Sequence, residues 1–288
     1  MNLREWYEKT DYKKLMVIPI IIFIIFAGTL FYKYYTTGEF FIKNIDLSGG
    51  TQTNIQTKQN VDVSALESYL KPKIGDVEVR VASSIGGNTL IIKAGEDVDQ
   101  TKLLKMVEDY GIKIDDYSFE KIGAQLGESF FAQSKIALAL AFIFMGIVVF
   151  VIFKNVVPSL AVIFAAFSDI ICTLGVMQLF GLELSLASFA GLLLVLGYSI
   201  DTDILLTTRL LKRRNGTVVD RSIGAVKTGL TMTTTTMVAL VALYIISGAT
   251  ALHEIATVLL IALLIDIPNT WLMNLGILRW WIDKKGLR

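Results

Sequence analysis

The sequence has little cysteine, histidine or proline: its 288 residues include one cysteine, one histidine and four prolines. A single cysteine excludes an internal disulfide framework, and one cysteine with one histidine cannot complete a Cys/His zinc site. The glycine-rich stretches SGGT (48–51) and IGGN (85–88) do not have the GxxxxGK[ST] form of a phosphate-binding loop, and are typical of turns or a bulge. The net charge of +1 gives no basic signal for nucleic acid. We therefore expect no cofactor, no bound metal and no nucleotide-driven activity.

Apolar residues are what the chain has in excess. Hydrophobic types make up 53% of it, and the mean hydropathy is +0.59. Several apolar runs approach or exceed the ~20 residues that cross a bilayer. The sequence predicts six spans, at residues 15–32, 136–153, 156–180, 184–206, 230–246 and 255–275. A polar leader precedes the first run and no small-residue cleavage motif follows it, so we expect an uncleaved first transmembrane helix.

Basic residues predict the orientation of these spans. Lys and Arg concentrate in the leader, in the link between the fourth and fifth spans and in the tail, and are absent from the short links 181–183 and 247–254. Cytoplasmic loops carry such an excess. Six spans place both termini on one side, so we expect the termini and the loop 207–227 in the cytoplasm. The residues concerned are Arg4, Lys9, Lys13, Lys14, Arg209, Lys212, Arg213, Arg214, Arg221, Lys227, Arg279, Lys284, Lys285 and Arg288.

The long polar segment between the first two spans predicts a separate extracytoplasmic domain. Residues 41–57 alternate as a strand or hairpin, a helix follows with Asp62 as its N-cap and Pro72 as its stop, and two strands meet at the turn 84–88. A second helix closes at Gly111 and a last strand follows. This βαββαβ order is that of the ferredoxin-like α+β fold.

These patterns divide the chain into four segments. We expect a leader with the first span at 1–35, the outer domain at 36–132, five spans at 133–276 and a cytoplasmic tail at 277–288. His253 falls in the predicted outer loop between the last two spans, as an interfacial residue or a proton sensor. The run TMTTTT (231–236) predicts either close helix packing or a polar path.

Four aspartates lie within or beside the spans and require an explanation. Asp169 lies 13 residues into the third span and Asp266 lies 11 residues into the sixth, which corresponds to depths of roughly 20 Å and 17 Å. Asp201 and Asp203 lie near the inner end of the fourth span. An ionised group at mid-bilayer costs about 2.5 kcal/mol or more, so such residues face the bundle interior and have partners.

The stretch GYSIDTDILLTTRL (197–210) admits two interpretations. In one, the helix breaks near Ser199, and Asp201 or Thr202 caps a new surface helix. In the other, the helix continues and its carboxylates face a polar interior. Asp201 and Asp203 are about 200° apart around a helix and cannot share a partner. The candidate partners are Arg209 on nearly the face of Asp201 and, on one face of the fifth span, Lys227, Thr231, Thr234 and Thr235.

Five stretches in order resemble the SecD/SecF family of protein-export membrane proteins, in its archaeal form. They are IDLSGGTQ (45–52), IGAQLGESF (122–130), SDIICTLGVMQLFGLEL (168–184), GYSIDTDILLTTR (197–209) and SIGAVKTGLTMTTTT (222–236). Ala124 replaces a proline of the family pattern and Ser168 a histidine. The membrane aspartate of the family falls on Thr202, between Asp201 and Asp203, and its arginine falls on Lys227.

The resemblance implies a non-enzymatic accessory subunit of protein export. It implies an RND-like half of a membrane bundle that works with SecD at the SecY-type channel and acts on an unfolded translocating polypeptide by means of the proton-motive force. Asp201, which shares a face with Gly197 and Arg209, is the first candidate for the proton-coupling carboxylate, and Asp203 is the second. Two other functions compete: a half-transporter for a small molecule or lipid, and an intramembrane aspartyl protease using Asp169 with Asp201.

Overall fold

The computed structural model describes residues 11–84, 87–212, 216–247 and 250–286. Of the basic residues that predict orientation, Arg4, Lys9, Arg213, Arg214 and Arg288 lie outside this part, as does the centre of the predicted turn 84–88. In chain order the elements are α1 (Tyr12–Thr37), α2 (Ile45–Ser48), β1 (Gly50–Thr57), α3 (Val63–Ile74), β2 (Val77–Ser84), β3 (Gly87–Ala94), α4 (Gln100–Asp109), β4 (Asp116–Ile122), α5 (Ala124–Phe153), α6 (Val156–Leu179), α7 (Leu186–Leu211), α8 (Val218–Ile246), α9 (Thr250–Pro268), a π-helix (Asn269–Asn274) and α10 (Leu275–Lys285).

Within the described residues, six helical stretches are long and apolar enough to cross a membrane, which agrees with the six predicted spans. They are α1, α5, α6, α7, α8 and the continuous stretch from α9 through the π-helix to α10. In α6 and α7, at least half of the residues in the 18-residue apolar stretch are buried inside the protein. In α1, α5 and α8 only 17% of these residues are buried. The helices α6 and α7 therefore form the centre of the bundle, where Val162 and Leu192 pack with Val149 and Leu259.

The small domain between α1 and α5 has the predicted ferredoxin-like topology. Its four antiparallel strands lie in the order β2-β3-β1-β4. Ile55 pairs with Leu90 on the neighbouring strand, and both pack with Leu66 of α3 and Leu103 of α4 in one core. Alternate strand residues face the helices because side chains alternate across a strand. The other face of the sheet is left to meet the bundle.

One local prediction in this domain is wrong, and a second is right only for the strand at the end of its segment. Helix α3 does not stop at Pro72 but continues to Ile74 and ends at Gly75, whose φ is +85°. Pro72 lacks the N–H of one helical hydrogen bond, and its ring crowds the carbonyl four residues earlier. Neither effect concerns the residues after Pro72, so the helix continues for two more residues. The segment 41–57 is not a hairpin, because its middle forms the single helical turn α2 and only its end forms β1.

The glycines of SGGT do more than turn the chain. Gly49 and Gly50 have φ of +81° and +131°, which other residues rarely adopt. They also permit close backbone packing, since a Cβ on Gly49 would lie 2.5 Å from the Cα of Ala124, and one on Gly127 would lie 2.7 Å from the nitrogen of Gly49. The start of the domain is thereby held against the start of α5, which joins two of the stretches that carry the family resemblance.

Helix α7 runs without a break from Leu186 to Leu211, so the alternative with a surface helix beginning near Ser199 is wrong. His253 lies in the first turns of α9 rather than in a loop, because that helix already begins at Thr250. Its ring packs on Tyr244 of α8, with the ring centroids 3.8 Å apart. Both side chains are therefore part of the helical bundle at its domain-facing end.

Candidate functional site

Three aspartates meet in the middle of the bundle. Asp169 comes from α6, Asp203 from α7 and Asp266 from α9, and none is more than 1% exposed. Asp169 and Asp203 each lie close enough to Asp266 to interact with it electrostatically. The polar side chains around them are also buried, and we call the whole group the aspartate cluster. It comprises Ser168, Asp169, Ser199, Thr202, Asp203, Asp266, Asn269, Thr270 and Asn274.

Asp169 is held from both sides. The hydroxyl of Ser199 donates to its Oδ2 at 2.6 Å, and the amide Nδ2 of Asn269 donates to its Oδ1 at 2.7 Å. The same amide lies 3.0 Å from the hydroxyl of Ser168, the residue at the position of the family histidine. Each carboxylate oxygen of Asp169 therefore has a neutral hydrogen-bond donor.

Asp203 and Asp266 share one hydroxyl. Thr270 Oγ1 lies 3.0 Å from Asp203 Oδ1 and 2.9 Å from Asp266 Oδ1, and Asn274 Nδ2 donates to Asp203 Oδ1 at 2.7 Å. Thr202 Oγ1 lies 3.4 Å from Asp266 Oδ2, but it already donates to the carbonyl of Ser199 at 2.8 Å. Hydroxyl groups thus link the two carboxyl groups to each other and to α7.

Among the described residues, the cluster has no side-chain cation as an ion-pair partner: no Lys, Arg or His forms an ion pair with any of the three aspartates, and no three His, Cys, Asp or Glu are grouped to hold a metal ion. Asp203 Oδ2, Asn269 Oδ1 and Asn274 Oδ1 are buried and accept no hydrogen bond from that part of the chain. Such acceptors are completed by water, by a cation or by a proton on a neighbouring group.

A π-helix places three of the donors. Asn269, Thr270 and Asn274 all lie in the π-helix, directly after Pro268. Proline cannot donate a backbone hydrogen bond and crowds the carbonyl four residues before it, and π-helical turns are frequent at functional sites. Residues four apart drift by about 40° around an α-helix, and the wider turn offsets this drift. Asp266, Thr270 and Asn274 consequently reach the same side of the bundle.

The structure separates the two aspartates of the fourth span. Asp203 is 0% exposed and belongs to the cluster, as does Thr202, whereas Asp201 is exposed on the outer face of α7. The predicted angle of about 200° between Asp201 and Asp203 explains why they part. The first candidate of the sequence prediction therefore lies outside the buried site, and the second lies inside it.

The predicted basic partners lie elsewhere. Lys227, Thr231, Thr234 and Thr235 are exposed on α8, and the hydroxyl of Thr231 donates to the carbonyl of Lys227 at 2.8 Å. Arg209 donates to Thr228 Oγ1 at 2.9 Å. An ion pair of Lys227 or Arg209 with Asp201 or Asp203 is not formed within the described residues, because Asp203 turns towards the π-helix instead of α8.

Sequence reasoning missed Ser199, Asn269, Thr270 and Asn274. A signal was present for three of them, since Asp266, Asn269, Thr270 and Asn274 are spaced i, i+3, i+4 and i+8 within an apolar run. That spacing puts polar groups on one helical face. Asp169 and Asp266, which the sequence placed near mid-membrane, are brought together as members of one site.

A second group of charged residues lies where the domain meets the bundle. Glu183, in the link between α6 and α7, is 7% exposed and forms ion pairs with Lys93 of β3 and with Arg80 of β2, whose Nη2 lies 3.2 Å away. Arg80 Nη1 also donates to the carbonyl of Gly181 at 3.4 Å. The link is thereby held by side chains of the sheet, and we call this region the outer junction.

Backbone hydrogen bonds strengthen the outer junction. The amide of Leu184 donates to the carbonyl of Ile42 at 2.8 Å, and the amide of Asn44 donates to the carbonyl of Leu184 at 2.9 Å. A cavity of about 200 Å³ lies beside these contacts, lined from both parts of the molecule by residues that include Gln52, Ile91, Tyr244 and His253. The link between the two central helices is thus bound to the entry of the outer domain.

Comparison with known proteins gives consistent matches. The profile of the family described as "Protein export membrane protein SecD/SecF, C-terminal" matches residues 102–284. The protein-export membrane protein SecF of Methanothermobacter thermautotrophicus is 42% identical over 281 residues, which cover 96% of this chain and 94% of the relative. SecF of Methanocaldococcus jannaschii is 43% identical over 283 residues, covering 95% and 97%. SecF of Haloferax volcanii is 32% identical over 278 residues, covering 96% and 94%.

Among solved structures, the chain resembles SecDF, a translocon-associated membrane protein from Thermus thermophilus. The TM-score is 0.78 at 20% sequence identity, and the match covers 98% of this chain. It covers 39% of the SecDF chain, so this chain spans about two fifths of that longer protein. At this identity the likeness shows a shared fold.

Proposed function

The chain belongs to the SecD/SecF family of protein-export membrane proteins, and we propose that its aspartate cluster couples proton movement to motion of its outer domain. As a member of this family it is a multi-pass membrane protein and an accessory subunit of protein export. The proposed work is mechanical and needs no covalent step, so we assign no enzymatic activity.

The observation that carries the proposal is the burial of three carboxyl groups with only neutral partners among the described residues. An unpaired ion costs several kcal/mol to bury in a protein interior, so three ionised aspartates at contact distance are unfavourable. Protons that enter the cluster remove this charge, and protons that leave restore it. Because the aspartates come from α6, α7 and α9, each change alters the forces between three helices.

The membrane potential supplies the energy for such a cycle. One elementary charge that crosses 100 mV yields about 2.3 kcal/mol, which is comparable to the free energies of modest conformational changes. We propose entry from the extracytoplasmic side and release to the cytoplasm. The basic residues support this orientation, with both termini and the loop 207–227 inside and residues 36–132 outside.

The outer junction supplies a mechanical connection. Glu183 and Leu184 lie between the helices that carry Asp169 and Asp203, and both bind the outer domain. A shift of α6 against α7 therefore displaces the sheet without passing through a flexible linker. We propose that the domain acts in this way on an unfolded polypeptide that emerges from a SecY-type channel.

An exposed polar face supports SecD as the partner. Lys227, Thr231 and Thr234 are exposed on α8 although this helix is long and apolar enough to span the membrane. Polar groups that face hydrocarbon are costly, so such residues face protein or water. A related six-helix half would cover this face, as in transporters that are built from two repeats.

Paired substitutions two residues apart test the proposal. Asp203→Asn is expected to abolish proton-dependent stimulation of export, because it removes an ionisable group from the cluster. Asp201→Asn is the matched control and should retain most of the stimulation, since Asp201 is exposed. The measurement is transport of a secreted polypeptide into proteoliposomes that contain this chain, SecD and the SecY-type channel, with and without an imposed pH gradient.

The result that contradicts the proposal is full stimulation by the Asp203→Asn protein, or its loss in the Asp201→Asn protein alone. Replacement of the proton gradient by a sodium gradient distinguishes the ion, since stimulation by sodium alone would refute proton coupling. Transport of a hydrophobic small molecule by the same proteoliposomes, with no effect on polypeptide export, would favour the half-transporter.

A further inference from the structure

The hydroxyl of Thr270 lies between two carboxyl groups and cannot donate to both. Its oxygen is 3.0 Å from Asp203 Oδ1 and 2.9 Å from Asp266 Oδ1. A threonine hydroxyl has one hydrogen and two lone pairs. If it donates to Asp203, a favourable contact with Asp266 requires a hydrogen on the Asp266 carboxyl group. If it donates to Asp266, Asp203 must carry that hydrogen.

The neighbouring donors do not remove this requirement. Asn274 supplies a second donor to Asp203 Oδ1 and none to Asp266. The other oxygen of Asp266 lies beside Thr202, whose hydrogen is directed at the carbonyl of Ser199 at 2.8 Å. When Thr270 donates to Asp203, the hydroxyls of Thr270, Thr202 and Ser199 beside Asp266 all direct their hydrogens elsewhere, and the carboxyl group of Asp169 is the remaining neighbour of Asp266. With Thr270 donating to Asp203, a carboxylic acid at Asp266 satisfies the contact with Thr270, whereas a carboxylate does not; with Thr270 donating to Asp266, the acid lies at Asp203.

We propose that Thr270 is the bridge through which one proton passes between Asp266 and Asp203, a role that rests on the proposed proton coupling. The transfer balances without any other reactant. The O–H bond of Asp266 breaks as a new O–H bond forms at Thr270, and the original O–H bond of Thr270 breaks as one forms at Asp203. One proton moves from α9 to α7, and Thr270 ends with one hydrogen as it began.

Other ionisable groups near the bridge are few. Asp169 faces the cluster from α6, next to the buried Cys172 one turn away. Helix α1 also packs against the π-helix, and its sequence between Leu15 and Phe31 contains no Asp, Glu, Lys, Arg, His, Cys or Tyr. Helix α8 meets the π-helix where Gly229 lies against Trp271, and α10 carries its charges only from Arg279 onward.

The backbone supports a positioning role for this residue. Thr270 lies in the π-helix, one turn from Asp266 on one side and from Asn274 on the other. Asn274 orients Asp203 and Asn269 orients Asp169. The side chains of one wide helical turn thus align all three carboxyl groups, with Thr270 at the one position that touches two of them.

The test compares Thr270→Val, which keeps the shape and removes the hydroxyl, with Thr270→Ser, which restores it. The matched control is Thr207→Val, because Thr207 is also fully buried and its hydroxyl has no partner in the described residues. The first readout is the infrared carboxylic-acid band of the purified protein across a pH series. We expect this band to shift in Thr270→Val and to remain as in the wild type in Thr270→Ser and Thr207→Val.

The second readout is the pH profile of export stimulation in the proteoliposomes. We expect at least a tenfold slower proton-dependent phase in Thr270→Val, with rescue by Thr270→Ser. If export does not depend on the proton gradient but the infrared band still shifts in Thr270→Val, the proton bridge at Thr270 is supported and the proposed coupling of protons to export is refuted. An unchanged infrared band in a folded Thr270→Val protein would overturn the bridge.

If Thr270→Val does not fold, two further variants decide the question. Asp203→Asn and Asp266→Asn should each shift the same infrared band, because a proton shared through Thr270 depends on both carboxyl groups. A band that responds to only one of the two variants would show that the proton is not shared and would overturn the proposal.

Discussion

The outer junction and the middle of the bundle surround buried carboxyl groups with different partners. At the outer junction the carboxylate of Glu183 lies between two cations, Lys93 and Arg80. In the aspartate cluster three carboxyl groups lie beside one another, and among the described residues their other partners are hydroxyls and amides rather than cations. A paired charge of this kind is a fixed connection, because loss of either partner leaves an uncompensated ion. Unpaired carboxyl groups respond to protons, so one region holds the molecule together while the other can change.

The largest effect is expected from charge reversal at the outer junction. Lys93→Glu places a second carboxylate beside Glu183 and should destabilise the protein by about 3–5 kcal/mol. The measurement is thermal unfolding of the protein purified in detergent. The control, Lys71→Glu, breaks an exposed pair with Asp76 and should cost less than about 1 kcal/mol. Addition of Glu183→Lys to Lys93→Glu should restore part of the loss, and no restoration would refute a direct ion pair.

The uncharged part of the same junction gives the next effect. Gly49→Ala and Gly75→Ala both place an alanine at φ near +80°, but only the first puts a Cβ against the backbone of Ala124. We expect Gly49→Ala to cost about 2 kcal/mol more than Gly75→Ala, because overpacking adds to the shared backbone strain. Equal melting temperatures for the two variants would mean that close packing at Gly49 does not stabilise the junction.

In the aspartate cluster, removal of a carboxyl group is expected to raise the stability of the protein rather than lower it. Asp266→Asn leaves two carboxyl groups instead of three at one buried site, and because neighbouring carboxylates disfavour each other's ionisation, we expect a small gain in stability at neutral pH, although export stimulation is lost. Chemical denaturation in detergent measures this gain. Asp201→Asn, at the exposed position, should change stability little, and a destabilised Asp266→Asn protein would show that the carboxyl group is needed for packing.

The smallest effect is expected at an exposed carboxylate of the outer domain. Asp62 accepts a hydrogen bond from the amide of Ala65 at the start of α3, at 3.1 Å. Asp62→Ala should lower stability by about 1 kcal/mol, while Asp62→Asn, which can still cap the helix, should lose less. Circular dichroism during thermal unfolding measures both, and an equal loss in the two variants would argue against the cap.

Much of the fold could be predicted from local patterns. The six spans are visible as apolar runs because the bilayer sets their length, and the order of strands and helices in the domain follows from alternation and from caps such as Asp62. The helical turn α2 was missed because its four residues are held by Asn44 and by contacts with α5. The π-helix was missed because its geometry depends on packing around Pro268.

The site was predicted only in part. Depth along the spans identified Asp169 and Asp266, and helix periodicity separated Asp201 from Asp203. Neither argument could decide which aspartate points inwards, since that depends on the rotation of α7 about its own axis. The rotation of α8 likewise decides that Lys227 lies on an exposed face, so the ion pair predicted from helical spacing is not formed within the described residues.

The sequence by itself predicted six apolar spans and a small α+β domain, and both are found in the described residues, because hydrophobic length and periodicity are local properties of the chain. Its family resemblance was likewise readable from five stretches in order. Only the tertiary structure decided that Asp203, Asp169 and Asp266 form one cluster with Thr270 between two of them. The three aspartates are 34 to 97 positions apart in sequence and meet only when the helices pack. A proton can be shared only by groups within hydrogen-bond distance.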